Sequence, residues 1–379
     1  MPYITIPVEK DYQISFDDIL NGISQLDYNK KQRDTNDTRT VFRDRTPDRL
    51  VSAERFAELI DALHAFNERY ANIIEVEDKT PFYRSFKIPK KSGGLRPIDA
   101  PLPELKAAQY ELKYLFESKF FASHHTCAFA YVKKRNPLEA VKRHQENKSK
   151  WFLKLDFHNF FGSTTLAFVT SMLSMIYPFN EVVRSQEGKD ALSKALSICF
   201  LKGGLPQGTP ISPMLTNLMM IPIDHEIVKY ARSTSPHLCY SRYADDIQLS
   251  SDLSFKWSEV QDRVLDILNM FGAPFTLNKE KTRYGSSAGR NWNLGVMLNK
   301  DNEITIGHQK KKVFKAMLFQ FCTDYIKQTP WSVEDVQHLQ GLKAYYEMVE
   351  KDKIREIVAT YSAKTGVNID AAIKEILTQ

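Results

Sequence analysis

An α+β fold with a ferredoxin-like sheet at its centre is what this 379-residue sequence predicts. Three observations carry that expectation. From residue 151 to 307 the apolar patterns run strand, helix, strand, strand, helix, strand, the order of a split βαβ unit. The stretch 52–76 and the tail beyond His308 show helical spacing instead, which puts helices at both ends. Two apolar segments, W-F-L-K-L-D-F (151–157) and S-R-Y-A-D-D-I-Q-L-S-S (241–251), carry acids where a strand ends or turns.

Composition narrows the class. With 42% hydrophobic and 26% charged residues the chain is neither disordered, collagen-like nor a disulfide scaffold. Its length suggests two or three packed units. A balance of 52 Lys+Arg against 46 Asp+Glu, net +6, is too mild to demonstrate nucleic-acid binding, so the placement of charge has to decide. Cys127, Cys199, Cys239 and Cys322 lack zinc spacing and are expected as buried thiols of a reducing compartment. The N-terminus has no basic region followed by an apolar one, and no run approaches 18 apolar residues. A cytoplasmic protein with no membrane partner is expected.

Along the chain, Phe56, Leu59, Ile60, Leu63 and Phe66 make one helical stripe, preceded by a polar, doubly charged loop at 28–49. Apolar alternation on either side of Lys90-Lys91-Ser92-Gly93-Gly94 predicts a β-hairpin. Arg84 to Arg96 holds five basic residues and no acid. A helix follows over 101–121. Strand 151–157 leads into a Phe-Phe-Gly-Ser turn and a helix from Leu166, then comes the hairpin at 241–251. A helix is expected over 258–271 and strand, turn, strand over 284–307.

The chemistry concentrates in two places. Asp156 ends its strand, and Asp245 and Asp246 occupy a hairpin tip; three such carboxylates suit two divalent cations, which need bridging hard oxygens to clamp a phosphoryl transfer. Adjacent acids at a turn are commonly just solvated. Here Tyr243, Ile247 and Leu249 place them in a strand expected to be buried, where unpaired charge costs several kcal/mol. The loop Leu205-Pro206-Gln207-Gly208-Thr209-Pro210-Ile211-Ser212-Pro213 breaks any helix just before a new one begins. It reads either as a backbone that approaches a nucleotide or as a tight interdomain turn.

The ordered set I-P-K-K-S-G-G-L-R-P-I, L-K-L-D-F-H-N-F-F, L-P-Q-G-T-P-I-S-P, Y-A-D-D, L-N-K-E-K-T and N-L-G-V resembles the successive blocks of reverse transcriptases. The resemblance runs from about residue 80 to 300 and is similar to the bacterial retron, group II intron-like and defence-associated (abortive-infection) lineages. Two retron-type blocks read differently here, as A-V-K-R-H at 140–144 and N-L-G at 293–295.

That resemblance implies a right-hand polymerase with a ferredoxin-like palm, fingers and a helical thumb. The implied division is 1–75 N-terminal helical extension, 76–150 fingers, 151–305 palm with fingers/palm helices at 165–225, and 306–379 thumb, leaving no stretch for an RNase H, endonuclease or integrase. Asp156, Asp245 and Asp246 take the places of the catalytic acids, with the Phe157 carbonyl assisting two Mg²⁺ ions, for which Mn²⁺ could substitute. Phe161 matches the steric gate against a ribose 2′-hydroxyl, with core packing beside Phe160 as the competing reading. Lys90 and Arg96 match residues that embrace the triphosphate, although Lys91 could take the place of Lys90. Gln207 and Gly208 line the nucleotide pocket, and Lys281 matches the lysine near the pyrophosphate.

From Lys279 to Lys315 there are nine basic residues and three acidic ones, including Lys310-Lys311-Lys312. Those three lysines, with Tyr345 and Tyr346 of a thumb-type helix, are the expected grip on nucleic acid. The implied partners are an RNA template, a DNA primer and product, and dNTPs. A cognate non-coding RNA in an anti-phage setting is expected, with an effector protein or a homo-oligomer left open. The alternatives are a mobile-element enzyme, a template-independent or protein-primed polymerase, and a polymerase-fold RNA-binding subunit.

Overall fold

The structure is a computed structural model and describes residues 53–89, 93–287, 292–329 and 331–378. Helix α1 (Ala53–Arg69) buries Leu59, Leu63 and Phe66 of the stripe the spacing predicts, with Phe56 and Ile60 half-buried, and the single turn α2 (Ala71–Ile74) adds Ile73. The predicted hairpin forms from β1 (Tyr83–Pro89) and β2 (Leu95–Pro101), antiparallel with Pro89 opposite Leu95. Its turn residues Lys90, Lys91 and Ser92 lie outside the described residues, as do the expected loop at 28–49 and most of the N-terminal extension.

Helix α3 (Pro103–Ser118) starts with proline, whose missing N–H costs nothing there, and buries Leu105, Ala108, Leu112 and Phe116 at helical spacing. Helix α4 (Pro137–Glu146) is capped by Asn136, whose side chain accepts the Glu139 N–H at 3.1 Å. Strand β3 (Trp151–His158) is followed by α5 (Phe160–Ser163), α6 (Leu166–Leu173), α7 (Phe179–Val182), α8 (Gln186–Ser197), α9 (Ser212–Met219) and α10 (Ile221–Ser233). The hairpin β4 (Cys239–Tyr243) and β5 (Asp246–Ser251), α11 (Trp257–Met270) and β6 (Thr276–Leu277) complete the repeat. These strands line up as β4-β5-β3-β6, the order of a ferredoxin-like sheet, and β7 (Arg283–Ser286) also pairs with β3. A separate meander holds β8 (Trp292–Asn293), β9 (Val296–Leu298) and β10 (Ile304–Thr305), followed by α12 (His308–Ile326), α13 (Val333–Thr365) and α14 (Ile369–Thr378). Among the described residues no helix is long and apolar enough to cross a membrane.

Two compact units divide the chain. One takes the residues up to Arg135, Leu153–Leu249 and Lys256–Arg283; the other takes Asn136–Phe152, Ser250–Phe255 and the chain from Tyr284 on. The first is centred on aromatic side chains. Phe116, Phe120 and Phe179 meet at 4.7–5.4 Å between centroids, and Phe275 packs on Phe157 at 4.8 Å and on Phe160 at 5.1 Å.

The second unit has its own core, including Phe314, Leu318, Phe321, Leu339, Tyr346 and Ile354. Helix α13 is kinked at Glu350, which has φ −138° and ψ 65°. The Glu350 carboxylate accepts the Ile306 N–H at 2.8 Å and the Thr305 hydroxyl at 2.9 Å and pairs with Lys311, so the kink is tied to the end of β10.

A buried imidazole makes this second unit acid-sensitive. His144 is fully buried, 2.5 Å through Nδ1 from the Ser250 hydroxyl, which in turn meets Ser149 at 2.7 Å. Burial, with Arg143 adding, pushes its pKa down to about 3. The unfolded chain therefore takes up a proton as pH falls through ~6.5 while the folded chain does not, and stability falls by roughly 1.4 kcal/mol per pH unit below that point. His124, depressed to about 4 by burial, adds a like contribution, so thermal unfolding followed between pH 7 and 4.5 should lose stability with falling pH, and His144→Asn should make the slope shallower by roughly 1.4 kcal/mol per pH unit.

Candidate active site

Strand β3 buries Leu153, Leu155 and Phe157 on one face, and on the opposite face its acid Asp156, only 4% exposed, needs a partner. It has the Lys281 ammonium at 2.8 and 3.1 Å from its two oxygens. The turn carrying Lys281 is itself locked to β3, because the Asn278 N–H donates to the Asp156 carbonyl at 2.8 Å. The hairpin tip arrives from the other side. Ala244 adopts a left-handed backbone, φ 58°, and the Asp245 carbonyl accepts the Phe157 N–H at 3.1 Å, which sets Asp245 beside Asp156.

Burial raises the Asp245 carboxyl above its ordinary pKa. The Asp156 charge adds to this, while Lys281 and Arg96 oppose it. Burial raises Asp246 as well, countered by Lys154 at 2.9 Å from its Oδ1. Lys154 is a neighbour the sequence did not single out. Three crowded, desolvated carboxylates offer only hard oxygens, and the ammonium of Lys281 already holds a cationic position against one of them. Such a donor set fits a divalent cation. His125, Cys127 and Asp224 also bring ligand-type atoms within 4.8 Å of one another, but both Asp224 oxygens already carry Arg242.

Of the other residues expected in the first unit, the structure describes Phe161, Arg96, Gln207 and Gly208, while Lys90 lies outside the described residues. Phe161 is half-buried and T-shaped to Phe160 at 5.7 Å. Arg96, exposed on β2, is close enough to lower the Asp245 pKa. The Gln207 carbonyl accepts the Asp99 N–H at 2.8 Å, so the Gln-Gly loop is seated on β2. A Cβ on Gly208, at φ +115°, would lie 2.8 Å from Ile98 Cγ2 and 3.2 Å from the Asp99 carbonyl. The close approach this glycine permits is thus to β2. Gly208→Ala should lower the unfolding free energy by about 1–3 kcal/mol, through left-handed strain and overpacking, as urea denaturation would read.

The sequence missed the network behind the hairpin tip. Arg242 and Asp224 are both 0% exposed and bonded at 2.8–3.1 Å, and Tyr240 donates to the same carboxylate at 2.7 Å. One Arg242 nitrogen also donates to the Asn217 side chain at 3.2 Å and to the Ala244 carbonyl at 3.3 Å. A charge inside S-R-Y-A-D-D and another inside L-M-M-I-P-I-D-H were signals, since a buried charge requires a partner.

In the second unit two of the residues expected to grip nucleic acid have internal contacts. Tyr346 is 7% exposed and edge-on to Phe314 at 5.3 Å, so it is core and not a stacking platform. Lys311 is paired to Glu350, an internal tie at the helix kink. Lys310 donates to the Gly295 carbonyl, and Tyr345 is half-buried near the same glycine, whereas Lys312 is exposed.

A ferredoxin-like sheet with three acids at two adjoining strand ends is the arrangement of a right-hand polymerase palm. Residues 88–315 match the family described as reverse transcriptase (RNA-dependent DNA polymerase), and the chain belongs to that family. It is 30% identical to the retron Ec83 reverse transcriptase of Escherichia coli, over 75% of this chain and 88% of that protein. The retron Ec73 enzyme is 26% identical, over 78% of this chain and 92% of its own, and the retron Ec86 enzyme 27%, over 74% and 81%, both also from Escherichia coli. Of the three lineages the motifs resemble, the chain falls in the retron one, despite its altered blocks at 140–144 and 293–295. It is an RNA-directed DNA polymerase, of a family that generally uses divalent metal ions.

Proposed function

We propose that this polymerase extends a DNA primer with dNTPs on an RNA template through a two-metal site formed by Asp156, Asp245 and the Phe157 carbonyl, with Asp246 in support. The observation that carries it is the convergence of Asp156 and Asp245, desolvated and within each other's field, where two strands are joined by the Phe157–Asp245 hydrogen bond. Two Mg²⁺ ions bound there would supply charge neutralisation at the attacking 3′-oxygen and at the leaving pyrophosphate.

The chain's own residues do the rest. Arg96, with Lys90, grips the triphosphate; a guanidinium suits bidentate phosphate contact and an ammonium point neutralisation. Phe161 fills the space of a ribose 2′-hydroxyl. Gln207 and Gly208 line the base and sugar pocket. Lys281, which contacts Asp156, would exchange that carboxylate for the pyrophosphate and donate a proton to it. Lys310 and Lys312, with Tyr345, contact the nucleic-acid backbone. On this reading 76–150 are fingers, 151–305 palm and 306–379 thumb, behind an extension at 1–75.

On this reading, which extends what the motif resemblance implies, the template is a cognate non-coding RNA and the setting cytoplasmic anti-phage defence. The test is primer extension on RNA with Mg²⁺, with Mn²⁺ and with chelator, alongside sequencing of nucleic acid that co-purifies. Incorporation without template, or unaffected by chelator, would overturn the reading; the absence of any specific co-purifying RNA or cDNA would remove the dedicated template.

A further inference from the structure

Tyr131 was not among the expected site residues, and its position is hard to explain by packing. It is 58% exposed and holds a left-handed backbone, φ 61°, which glycine or asparagine would adopt more readily. Its surroundings enforce that conformation. The carbonyl of Ala130 accepts the Asn217 side-chain N–H at 2.9 Å, and Asn217 is tied to the buried Arg242. Next to it the Phe129 N–H donates to the Arg242 carbonyl at 2.9 Å, and Arg135 braces the segment through the Thr126 and Ala128 carbonyls.

The Tyr131 ring presented by this brace stands edge-on to Phe161, 6.4 Å between centroids at 81°. Its hydroxyl lies in the field of Asp245 and Arg96. One rigid network therefore fixes both the peptide before Asp245 and the peptide before Tyr131, and Tyr131 bears on the ring expected to face the sugar.

We propose that Tyr131 is a sugar-selecting residue of this polymerase, its ring buttressing Phe161 so that the gate cannot swing away from a ribose 2′-hydroxyl. The proposal rests on Phe161 being the gate, and it makes Tyr131 a positioning residue acting through that ring. An unsupported phenylalanine on a short helix could change rotamer to admit the extra oxygen. An edge-on aromatic neighbour on a braced backbone blocks that escape.

Single-nucleotide incorporation, comparing kcat/KM for a dNTP and the matching rNTP, tests this. Tyr131→Ala should lower discrimination by about tenfold or more, the scale on which pocket shape selects between close analogues. Tyr131→Phe, which keeps the ring, should preserve it. Tyr131→Asn, suited to the left-handed backbone, should repeat the loss and so separate ring removal from backbone strain. In a Phe161→Ala background, Tyr131→Ala should add nothing further. If Phe161→Ala leaves discrimination intact, the gate assignment itself fails. If Phe161→Ala relaxes discrimination while Tyr131→Ala and Tyr131→Asn do not, or if these two depress dNTP and rNTP use equally, the buttress is overturned and the gate stands.

Discussion

Asp245→Asn is expected to reduce RNA-templated nucleotide incorporation by about three orders of magnitude or more, and Asp156→Asn to match it, because charge stabilisation in a phosphoryl-transfer site is worth several kcal/mol. Asp246→Asn should be at least about tenfold milder, since loss of a support costs less than loss of a ligand. Its carboxylate faces Lys154 at 2.9 Å. The informative companion is stability. A carboxyl whose pKa is raised on folding is ionised at a cost at neutral pH, so Asp245→Asn should leave the melting temperature unchanged or higher. Asp156→Asn releases Lys281, which is already 59% exposed and returns to water. Single-nucleotide extension read beside thermal unfolding gives both quantities. Incorporation by Asp245→Asn within tenfold of the parent would remove it from the metal-binding role.

Local pattern carried most of the sheet. Alternation and turn chemistry gave the hairpin at 83–101 and the acids at the tip of β4 and β5, because those features depend on residues a few positions apart. Long-range pairing was less legible. Arg242 and Asp224 lie 18 positions apart, and apolar context signalled that each needed a partner without naming it. Tyr345 and Tyr346 show another limit. The resemblance to a thumb-type helix marked both neighbours, and which of them turns into the core depends on packing against Phe314, 32 positions away in another helix. Basic clustering likewise marked Lys311 but could not foresee that Glu350 engages it. The Gln-Gly loop was recognisable, yet its seat on Ile98 and Asp99 depends on β2, more than a hundred residues away.

Arg242→Met is expected to destabilise the first unit by about 3–5 kcal/mol, the cost of leaving a buried charge without its partner, and Asp224→Leu by a similar amount. Either change strands part of a network in which two charges, the Tyr240 hydroxyl and the Asn217 amide are all desolvated. Combining Asp224→Leu with Arg242→Met removes both charges, and such replacements are often neutral or stabilising by about 1–4 kcal/mol relative to the ion pair. The double variant should therefore recover most of the lost stability in urea denaturation. Activity should not return with it. The donor to the Ala244 carbonyl is still missing, so the left-handed peptide before Asp245 is no longer held from behind, and neither is the Asn217 side chain that braces Ala130. A double variant as stable as the parent but at least about tenfold slower in incorporation would assign the buried pair to placing the catalytic tip, since packing restored without geometry leaves only orientation to account for the loss. If stability and activity recover together, the pair serves the core alone, and the left-handed turn at Ala244 is held by its hydrogen bond to β3.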